Sequence, residues 1–538
     1  MADIEADVII VGSGISGALL AAKLSASGVK VAILEAGARV NRTEARQRFW
    51  DAPIRVPECP YPPTPQAEHP VSNDPDYWYR QAGPNKFKST YLKVVGGTTW
   101  HWLGTCLRFM PNDFRLRTAH GRGLDWPIDY DDLEPFYSKA EHEIGVAGDS
   151  TETLGSPRST GYPMPAIPQT FLDKAYARAL DGTEFKLRPT PQARNSVNRD
   201  GRRACCGNAS CIPVCPSGAK YDATVHLGQA EENGAVLHAE TTATRVEVGA
   251  EGRVAAIHFK RWHGSEGVAS GKIFVLAAHA IETPRLLLHS RSEAWPNGVA
   301  NSSDQVGRNL MNHPTQLSWA LAAEPVWPYR GPLSTSSIEN FRDHAFRKDR
   351  PAMRIEIGND GWAWPKGAPV TTAADFARQG LRGRALDSAL RDQASRHLRL
   401  ASQVEQLPDP ENRVTLDPDE KDIYGVPLPR LAYRIDAYVE AGLAAARAAH
   451  AAIFGRLAAT GIQHRDAPEG AGHIMGTARM GNDAKSAVVD RELRSHDHRN
   501  LFILGSAVFP TGATANPTLT IAALSLRAAG AVKEALSE

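Results

Sequence analysis

The chain has 538 residues, 42% hydrophobic and 22% charged, which is the balance of an ordinary folded protein with room for two or more domain-sized units. Lys and Arg number 61 against 60 Asp and Glu, so the charge gives no support to nucleic-acid binding or to attachment to an acidic membrane. No run approaches the roughly 18 apolar residues of a membrane span, and no signal peptide precedes the first predicted strand; read alone, this predicts a cytoplasmic protein.

The first predicted element is a βαβ unit. Residues 7–11 form a short apolar run that predicts a buried parallel strand, and a glycine-rich turn follows over residues 12–17. Residues 18–24 then predict a helix, and residues 30–34 predict a second strand that ends at Glu35. Strand, turn, helix and second strand therefore follow one another in the order of a βαβ unit.

The glycine-rich turn predicts a dinucleotide site. Gly12 permits a tight turn, Gly14 lets the backbone approach a pyrophosphate, and Gly17 lets the helix and strand pack closely. Glu35 lies 18 residues after Gly17, where an acid accepts hydrogen bonds from a ribose hydroxyl. We assign these residues and Ser13 to cofactor binding. The motif does not separate NAD from FAD, and a glycine-rich turn of an ordinary α/β domain is the alternative.

A cluster of cysteines occupies residues 205–215, called the cysteine loop below: four of the chain's six cysteines are Cys205, Cys206, Cys211 and Cys215. Structural zinc uses C-x₂₋₄-C pairs, and two adjacent thiols rarely reach one tetrahedral ion. Disulfides need an oxidising compartment, which the missing signal peptide argues against. An iron–sulfur cluster needs thiolates held by a loop, and counting from Cys205 gives three ligands and a spare. The residues alone leave these readings open.

The remaining predicted elements repeat the strand–loop–helix pattern. Residues 273–278 predict a strand, and the helix after it has Pro284 in its first turn. Residues 500–505 predict a last buried strand, with a helix from about Leu519. Such units at both ends and in the middle predict one nucleotide-binding domain assembled from separated segments. Residues 330–400 are Arg-rich and carry no pattern that predicts structure.

Several segments resemble the glucose–methanol–choline (GMC) oxidoreductases, in the family's motif order and from residue 7 to about 530. They are Gly96-Gly-Thr-Thr-Trp-His-Trp102, Ala278–Leu288, His473–Gly481 and Ser506–Thr518. The resemblance implies FAD rather than NAD. It adds these residues to the predicted cofactor site: Gly96, Gly97, Thr98, His101, Ser506, Asn516, Pro517 and Thr518.

The resemblance also implies an α/β fold (α+β overall), with a Rossmann-like FAD-binding domain built from discontinuous segments and a substrate domain of a second sheet plus helices. A Pro-rich irregular excursion is predicted for residues 51–84. The FAD-binding domain, which includes the cysteine loop, is predicted at 1–50, 85–125, 200–325 and 466–538, and the substrate domain at 126–199 and 326–465.

The family places its catalytic base at the position of His473 and the partner that orients the substrate hydroxyl at Asn516. A neutral imidazole is a suitable base for an alcohol whose hydride leaves for flavin N5. In pyranose-oxidase-like members a histidine at the place of His101 carries the flavin covalently, so this linkage is a hypothesis here. His313 and His279 are predicted to be structural.

The cysteine loop and its flanks resemble the catalytic subunits of bacterial three-subunit FAD-dependent dehydrogenases of glucose, fructose, sorbitol and gluconate. The resemblance implies a [3Fe–4S] cluster on Cys205, Cys211 and Cys215, with Cys206 free to form a disulfide with a small subunit; the alternative is that Cys206 replaces Cys205 as ligand. Electrons would leave for a cytochrome c subunit. The small subunit would carry the export signal and deliver this chain to the periplasmic face of the inner membrane.

The predicted function is thus FAD-dependent oxidation of a sugar or polyol hydroxyl. One alternative is a pyranose-oxidase-like or glycoside 3-oxidase flavoenzyme that uses O₂, and it gives no reason for the cysteines. Another is a non-catalytic electron-transfer subunit, which the complete set of flavin and catalytic residues disfavours. The sequence does not indicate which sugar or which carbon is oxidised.

Overall fold

The computed structural model describes residues 3–53, 56–360 and 370–538. Three predicted segments include residues outside that description: 1 and 2 in the first FAD-binding segment, 54 and 55 in the Pro-rich excursion, and 361–369 in the substrate domain. The predicted domain boundaries stay a prediction.

A five-stranded parallel sheet forms the first lobe, and its strands come from distant parts of the chain. Every residue of its three central strands is buried, because each strand is a four-residue apolar run covered on both faces. The carboxyl ends of parallel strands meet at one edge, where ligands bind in such sheets. In spatial order the strands are Leu501–Ile503, Ile273–Leu276, Val8–Val11, Val31–Leu34 and Val236–His238.

Two helices rich in Ala and Leu, Ile15–Ser25 and Thr518–Ser537, pack against each other and against this sheet. Ile15–Ser25 begins within the glycine-rich segment, directly after Gly14, and packs against Thr224–Glu232 and against the last helix, Thr518–Ser537. Tyr130–Ile144 also packs against that last helix. The small side chains allow close approach, so the helix that begins the chain's first unit and the helix that ends the chain share one core.

The helix His279–His289 departs from the sequence prediction at Pro284. This proline lies inside the helix rather than in its first turn, so it has no N–H to donate to the carbonyl of Ala280. The hydroxyl of Thr477 donates to that carbonyl instead, at 2.6 Å. Because the proline leaves the Ala280 carbonyl free to accept this hydrogen bond, the helix holds the segment that carries His473 and Thr477 in place.

The second lobe is built on a seven-stranded antiparallel sheet. The long helix Ala437–Arg456 packs against it, and a separate apolar core lies between them. In spatial order its strands are Thr460–His464, Pro314–Leu321, His397–Val404, Met353–Gly358, Ser336–Ile338 and Leu187–Pro189, with Glu469–Gly470 also paired to Pro314–Leu321.

Smaller elements complete the description. A four-stranded sheet contains Ile4–Glu5, Glu266–Ser270, Val254–Arg261 and Thr241–Val248; a three-stranded sheet contains Arg413–Lys421, Pro427–Ala432 and Arg80–Gln81; and Ala147–Gly148 pairs with Met164–Pro165. The other α-helices are Arg42–Asp51, Pro111–Phe114, Leu116–His120, Phe171–Ala179, Val370–Arg378 and Gly383–Arg396. Short 3₁₀ turns are Gly97–Trp100, Ala250–Gly252, Ala345–Lys348 and Ser506–Val508. Among the described residues, no helix has the length and apolar character needed to cross a bilayer.

Candidate active site

A cavity of about 1250 Å³ lies at the carboxyl edge of the parallel sheet. The glycine-rich turn and residues 97–105 form one wall, and His473 and Asn516 form another. The antiparallel sheet contributes a third wall, and residues 207–210, 212 and 213 of the cysteine loop contribute a fourth. Apart from Gly17 and Gly96, the predicted cofactor residues therefore face the same space as the predicted catalytic pair and part of the cysteine loop, whose four cysteines do not line the cavity.

The three glycines of the turn meet different surroundings. A Cβ atom on Gly12, where φ is +101°, would lie 2.5 Å from the carbonyl oxygen of Ala277. A Cβ on Gly17 would lie 2.1 Å from the carbonyl oxygen of Gly12. A Cβ on Gly14 would meet no protein atom within 4 Å. Gly12 and Gly17 thus serve the fold, whereas Gly14 borders open space at the N-terminus of a helix, where a phosphate fits.

Glu35 joins the glycine-rich turn to the next loop. Its Oε2 accepts from the Ser13 amide at 3.0 Å and the Ser13 hydroxyl at 2.6 Å, while Oε1 accepts from the Gly37 amide at 2.9 Å. The Ser13 hydroxyl also accepts from the Gly96 amide at 3.1 Å. Burial raises the pKa of Glu35, which these hydrogen bonds counteract. Oε1 keeps acceptor capacity at the cavity wall, where a ribose hydroxyl would bind.

Residues 96–101 run alongside the glycine-rich turn. Gly96 and Gly97 have φ of +92° and +57°, and a Cβ on Gly97 would lie 3.3 Å from the Cα of Gly14. The Thr98 hydroxyl accepts from the Leu92 amide at 3.2 Å, which holds the short 3₁₀ turn in place. These predicted cofactor residues line the cavity through Gly97 and Thr98.

His101 is buried in the cavity wall as a neutral imidazole. Burial and then the charge of Lys220 lower the pKa of His101 to about 3. Its Nδ1 has no hydrogen-bond partner in the described part of the chain. The structure therefore leaves one nitrogen lone pair of His101 unengaged beside the predicted flavin site.

The C-terminal segment carries the remaining predicted cofactor residues. The Ser506 hydroxyl donates to the Ile474 carbonyl at 2.5 Å, which joins the end of the parallel sheet to the strip that holds His473. Pro517 caps the helix that begins at Thr518, and both residues line the cavity. The N-terminus of a 20-residue helix is thereby directed at the cofactor site.

The predicted catalytic pair is in direct contact. Asn516 Nδ2 lies 3.1 Å from His473 Nε2, and Arg354 Nη1 donates to Asn516 Oδ1 at 3.3 Å. Because the guanidinium needs an acceptor, it fixes which end of the amide carries oxygen. The Asn516 amide nitrogen therefore donates to His473 Nε2.

A second histidine, His313, fixes the protonation of His473. His313 Nε2 lies 3.2 Å from the carbonyl oxygen of Gly512, so Nε2 carries the proton that this acceptor requires. His313 Nδ1 then holds a lone pair, and it lies 2.8 Å from His473 Nδ1. His473 consequently donates from Nδ1 and keeps the lone pair of Nε2 on the Asn516 side. This is the tautomer that a general base needs.

Burial also keeps this pair of histidines neutral. It is the largest cause that lowers the pKa of His473 well below its ordinary value, followed by His313 and the charge of Arg354. Burial likewise lowers the pKa of His313 to about 4. Both rings are therefore unprotonated near neutral pH.

Sequence reasoning missed two residues of this constellation. His313 was expected to be structural, and its Asn-His-Pro context before a strand gave the one available signal of a fixed position. Arg354 lies in a segment without any pattern, in the middle of a buried strand. The same sheet brings Gln403, whose side chain accepts from Arg354 at 3.0 Å, to the cavity wall.

Charged side chains form the rest of the wall on the antiparallel-sheet side. Arg399 donates to Asp360 at 2.7 Å, and burial raises the pKa of this carboxyl against the lowering effect of Arg399. Glu356, also at the cavity, pairs with Arg399 at 3.5 Å. A wall with this many donors and acceptors suits a ligand with several hydroxyl groups.

The cysteine loop places its four thiols in different surroundings. Cys211 and Cys215 are buried, Cys205 is half-buried and Cys206 is exposed. Burial raises the pKa of Cys205. Burial also acts to raise the pKa of Cys215, but the Lys220 amide and ammonium, the Ser217 hydroxyl and Arg194 outweigh it and lower that pKa. None of the four thiols forms a disulfide bond within the described residues. No three His, Cys, Asp or Glu side chains among those residues are grouped so that they could hold a single metal ion.

A glycine-rich dinucleotide turn that shares a cavity with a neutral histidine base defines a dinucleotide-dependent oxidoreductase of mixed α/β fold. The chain belongs to the GMC oxidoreductase family, whose two descriptions, both "GMC oxidoreductase", match residues 6–315 and 408–525. The family and the fold class expected from the sequence are thereby confirmed.

Similar proteins cover the chain almost completely. The large subunit of fructose dehydrogenase from Gluconobacter japonicus is 38% identical, over 99% of this chain and 99% of its own length. The 6'''-hydroxyparomomycin C oxidase of Streptomyces lividus is 30% identical, over 99% and 92%. Among solved structures, pyridoxine 4-oxidase from Mesorbium loti aligns with a TM-score of 0.64 at 19% identity, over 98% of this chain and 99% of its own; this likeness concerns the fold.

Proposed function

We propose that the chain is the FAD-bearing catalytic subunit of a sugar or polyol dehydrogenase. The observation that carries the proposal is the single cavity in which the glycine-rich turn, His473 with Asn516, and the cysteine loop all meet. The 38% identity to a fructose dehydrogenase large subunit, which spans both chains, supports both the substrate class and a subunit role.

The chain's own residues account for the proton transfer. His473 Nε2 accepts the proton of the substrate hydroxyl, and Asn516 Nδ2 donates a hydrogen bond to the oxygen that is losing it. His313 Nδ1 accepts from His473 Nδ1–H, so the positive charge that develops on His473 is stabilised by a chain that ends at the carbonyl of Gly512. His473→Ala removes the base and is expected to lower kcat by about 10²–10⁴-fold.

The residues present fit FAD. Gly14 leaves open space in front of a helix N-terminus for the pyrophosphate, Glu35 keeps acceptor capacity for a ribose, and residues 97–101 line the adjoining cavity. Bound FAD supplies the hydride acceptor. The unengaged Nδ1 of His101 supports the hypothesis of a covalent flavin. Acid precipitation tests this hypothesis: it fails if all yellow colour stays in the supernatant.

The residues of the cysteine loop fit an iron–sulfur cluster by the chemistry of their donors. Cys205, Cys211 and Cys215 are half-buried or buried, and Cys211 and Cys215 are close enough to contribute to the raised pKa of Cys205 after burial, whereas Cys206 is exposed. This burial favours Cys205 over Cys206 as the third ligand. A [3Fe–4S] cluster on these thiolates supplies a one-electron acceptor.

The assembly and location follow from the same proposal. The exposed Cys206 is available for a disulfide with a small subunit, and a cytochrome c subunit would take the electrons. A small subunit that carries the export signal would bring the complex to the periplasmic face of the inner membrane.

The deciding experiment compares electron acceptors. Purified protein, with its partner subunits, is supplied with fructose, glucose, sorbitol, gluconate and glucosides, and turnover with ferricyanide or a dye is compared with hydrogen peroxide formation. We expect dye-dependent turnover, iron in the protein and little peroxide.

Fast peroxide formation without iron would instead favour an O₂-using oxidase. The 30% identity to the Streptomyces lividus oxidase supports this alternative. Full activity of His473→Ala would contradict the catalytic assignment and favour a non-catalytic electron-transfer subunit.

A further inference from the structure

The cysteine loop emerges from a narrow neck. Residues 193–195 pair with residues 219–221 as a short antiparallel ribbon: the Asn195 amide donates to the Ala219 carbonyl at 2.9 Å, and the Tyr221 amide donates to the Ala193 carbonyl at 2.9 Å. Arg194 and Lys220 are bridge partners at the centre of this neck ribbon. The backbone thus places two cations side by side where the loop begins and ends.

Both cations are buried, and neither forms an ion pair with a carboxylate of the described residues. Arg194 is 1% exposed, and the one hydrogen bond of its side chain within the described residues runs from Nη2 to the Leu103 carbonyl at 3.1 Å. Its Nε and Nη1 are buried and have no partner among residues 3–53, 56–360 and 370–538. Lys220 is 2% exposed, and the acceptors of its ammonium are the carbonyls of Trp100, Trp102 and Cys211.

Other buried arginines of the chain have carboxylate partners. Arg108 pairs with Glu134 at 2.8 Å and Glu141 at 2.9 Å, and Arg347 pairs with Asp113 and Glu405. An unpaired buried charge is costly, so a fold that retains one has a use for it. The groups that can be anionic and act electrostatically on Lys220 are, in order of effect, Cys215, Cys211 and Asp222, and the Asp222 carboxylate is already paired with Arg42 at 2.6 Å. The Lys220 amide lies 3.4 Å from Cys215 Sγ, and Arg194 acts electrostatically on Cys205 and Cys215.

We propose that Arg194 and Lys220 are the built-in counter-charge for an anionic cluster held by Cys205, Cys211 and Cys215. This inference rests on the proposed function, which places the cluster there. Thiolate ligation gives such a cluster net negative charge, and the two buried cations neutralise part of it in a dry setting where each charge acts strongly. Lys220 also ties the loop to residues 100–102 beside the flavin site, which sets the position of the cluster relative to the flavin.

Two consequences distinguish this role from simple packing. Reduction makes a cluster more negative, so removal of a neighbouring cation destabilises the reduced form and shifts the reduction potential to a more negative value. In protein without a cluster, the same removal relieves an unpaired buried charge and raises the melting temperature.

The experiment uses full-length protein co-produced with its partner subunits. Arg194→Met and Lys220→Met are made in the wild-type chain and in a cluster-free background, Cys205→Ser/Cys211→Ser/Cys215→Ser. Arg194→Lys, which retains the charge, is the matched control. Iron and FAD content, the potential of the cluster by EPR-monitored redox titration, and the melting temperature of each protein are measured.

In Arg194→Met we expect a more negative cluster potential or at least a twofold loss of iron per FAD. Arg194→Lys should keep near wild-type values of both. In the cluster-free background, Arg194→Met should raise the melting temperature. Lys220→Met provides the second variant if Arg194→Met does not fold. The counter-charge role is overturned if the wild-type protein contains the cluster and the Met variants match Arg194→Lys in cluster potential, iron content and melting temperature. That result would leave the proposed function standing. Wild-type protein without iron would overturn both.

Discussion

At the scale of single residues, the site is a chain of hydrogen bonds with one consistent set of donors. The carbonyl of Gly512 sets the tautomer of His313, which sets that of His473. Arg354 sets the orientation of the Asn516 amide. A histidine with both ring nitrogens thus directed already has the tautomer that accepts a proton at Nε2, and the substrate hydroxyl needs only to take the place of the Asn516 N–H at that nitrogen.

The pH dependence of the reaction follows from the low pKa of His473. A base acts while it is neutral, so activity is present above this pKa and is lost as the pH falls through it. Burial places the pKa of His473 well below its ordinary value. We therefore expect the acid limb of kcat/KM for flavin reduction to lie below about pH 6.5, the pKa of a free histidine. An acid limb at or above that pH in stopped-flow measurements would contradict this.

Substitution of His313 tests the relay. His313→Ala leaves the Nδ1–H of His473 without its acceptor and no longer selects the reactive tautomer. Loss of a buried hydrogen-bond partner costs about 1–3 kcal/mol, which corresponds to a decrease in kcat of about 5- to 150-fold with little change in KM. His450→Gln is the control, because His450 is equally buried but bonds Ser318 and Ser402 in the second lobe. Equal kcat values for both variants would refute the relay.

At the scale of elements, the glycine-rich turn separates folding from cofactor binding. Gly17 is required by the close contact of helix and strand, whereas Gly14 borders the space where the pyrophosphate is proposed to bind. Within one turn, Gly17 is thus required for packing and Gly14 for space at the proposed cofactor site.

A pair of alanine substitutions separates these reasons. Gly14→Ala adds a methyl group that meets no protein atom within 4 Å, at an extended φ of −63° and ψ of −175° that alanine also adopts, so the FAD-free protein should melt nearly as the wild type does. FAD affinity should fall at least about tenfold, because the methyl group occupies the approach to the phosphates. Gly17→Ala puts its Cβ 2.1 Å from the Gly12 carbonyl oxygen and should destabilise the fold itself. Calorimetry and flavin content measure the two effects; equal melting temperatures for the two variants would contradict the distinction.

The contact between Pro284 and Thr477 links two more elements. Thr477→Val leaves the Ala280 carbonyl without its donor, at a cost of about 1–3 kcal/mol in the free energy of unfolding. Pro284→Ala supplies a helical N–H to the same carbonyl and should offset that loss in the double variant. Chemical denaturation measures each protein, with Thr477→Ser as the variant that keeps the hydroxyl. If Thr477→Val is as stable as Thr477→Ser, the hydrogen bond contributes nothing.

At the scale of the whole molecule, the two lobes complete the cavity together. Arg354 from the antiparallel sheet orients Asn516, which follows the parallel sheet in the chain. The cysteine loop closes the same cavity from another side, through residues 207–210, 212 and 213. Changes on the substrate side of the cavity can therefore affect the catalytic pair directly.

The exposed thiol of the cysteine loop predicts how the assembly is held. With the small subunit co-produced in an oxidising compartment, wild-type protein should migrate as a linked species on non-reducing gels. Cys206→Ser should abolish the link and leave iron content unchanged, whereas Cys211→Ser should reduce iron content and keep the link. Loss of iron from Cys206→Ser alone would exchange the roles of Cys205 and Cys206.

Local segments could be predicted from the sequence because their physics is local. The strand at 7–11, the glycine-rich turn and Glu35 belong to one contiguous βαβ unit, and the structure places this unit as expected, with strands at Val8–Val11 and Val31–Leu34. The helix with Pro284 was less predictable, because the hydroxyl that compensates for the missing N–H lies 197 residues away from Ala280.

The sequence by itself determined the family, the dinucleotide site and the identity of His473 and Asn516 as candidates, since each rests on short motifs in a fixed order. Only the tertiary structure decided what activates them: His313 is 160 residues from His473, and Arg354 is 162 residues from Asn516. Arg194 and Lys220 likewise meet only because the neck ribbon pairs their strands. Partners this far apart in the chain form no motif of fixed spacing that the sequence could reveal, because only the folded backbone brings their side chains close together.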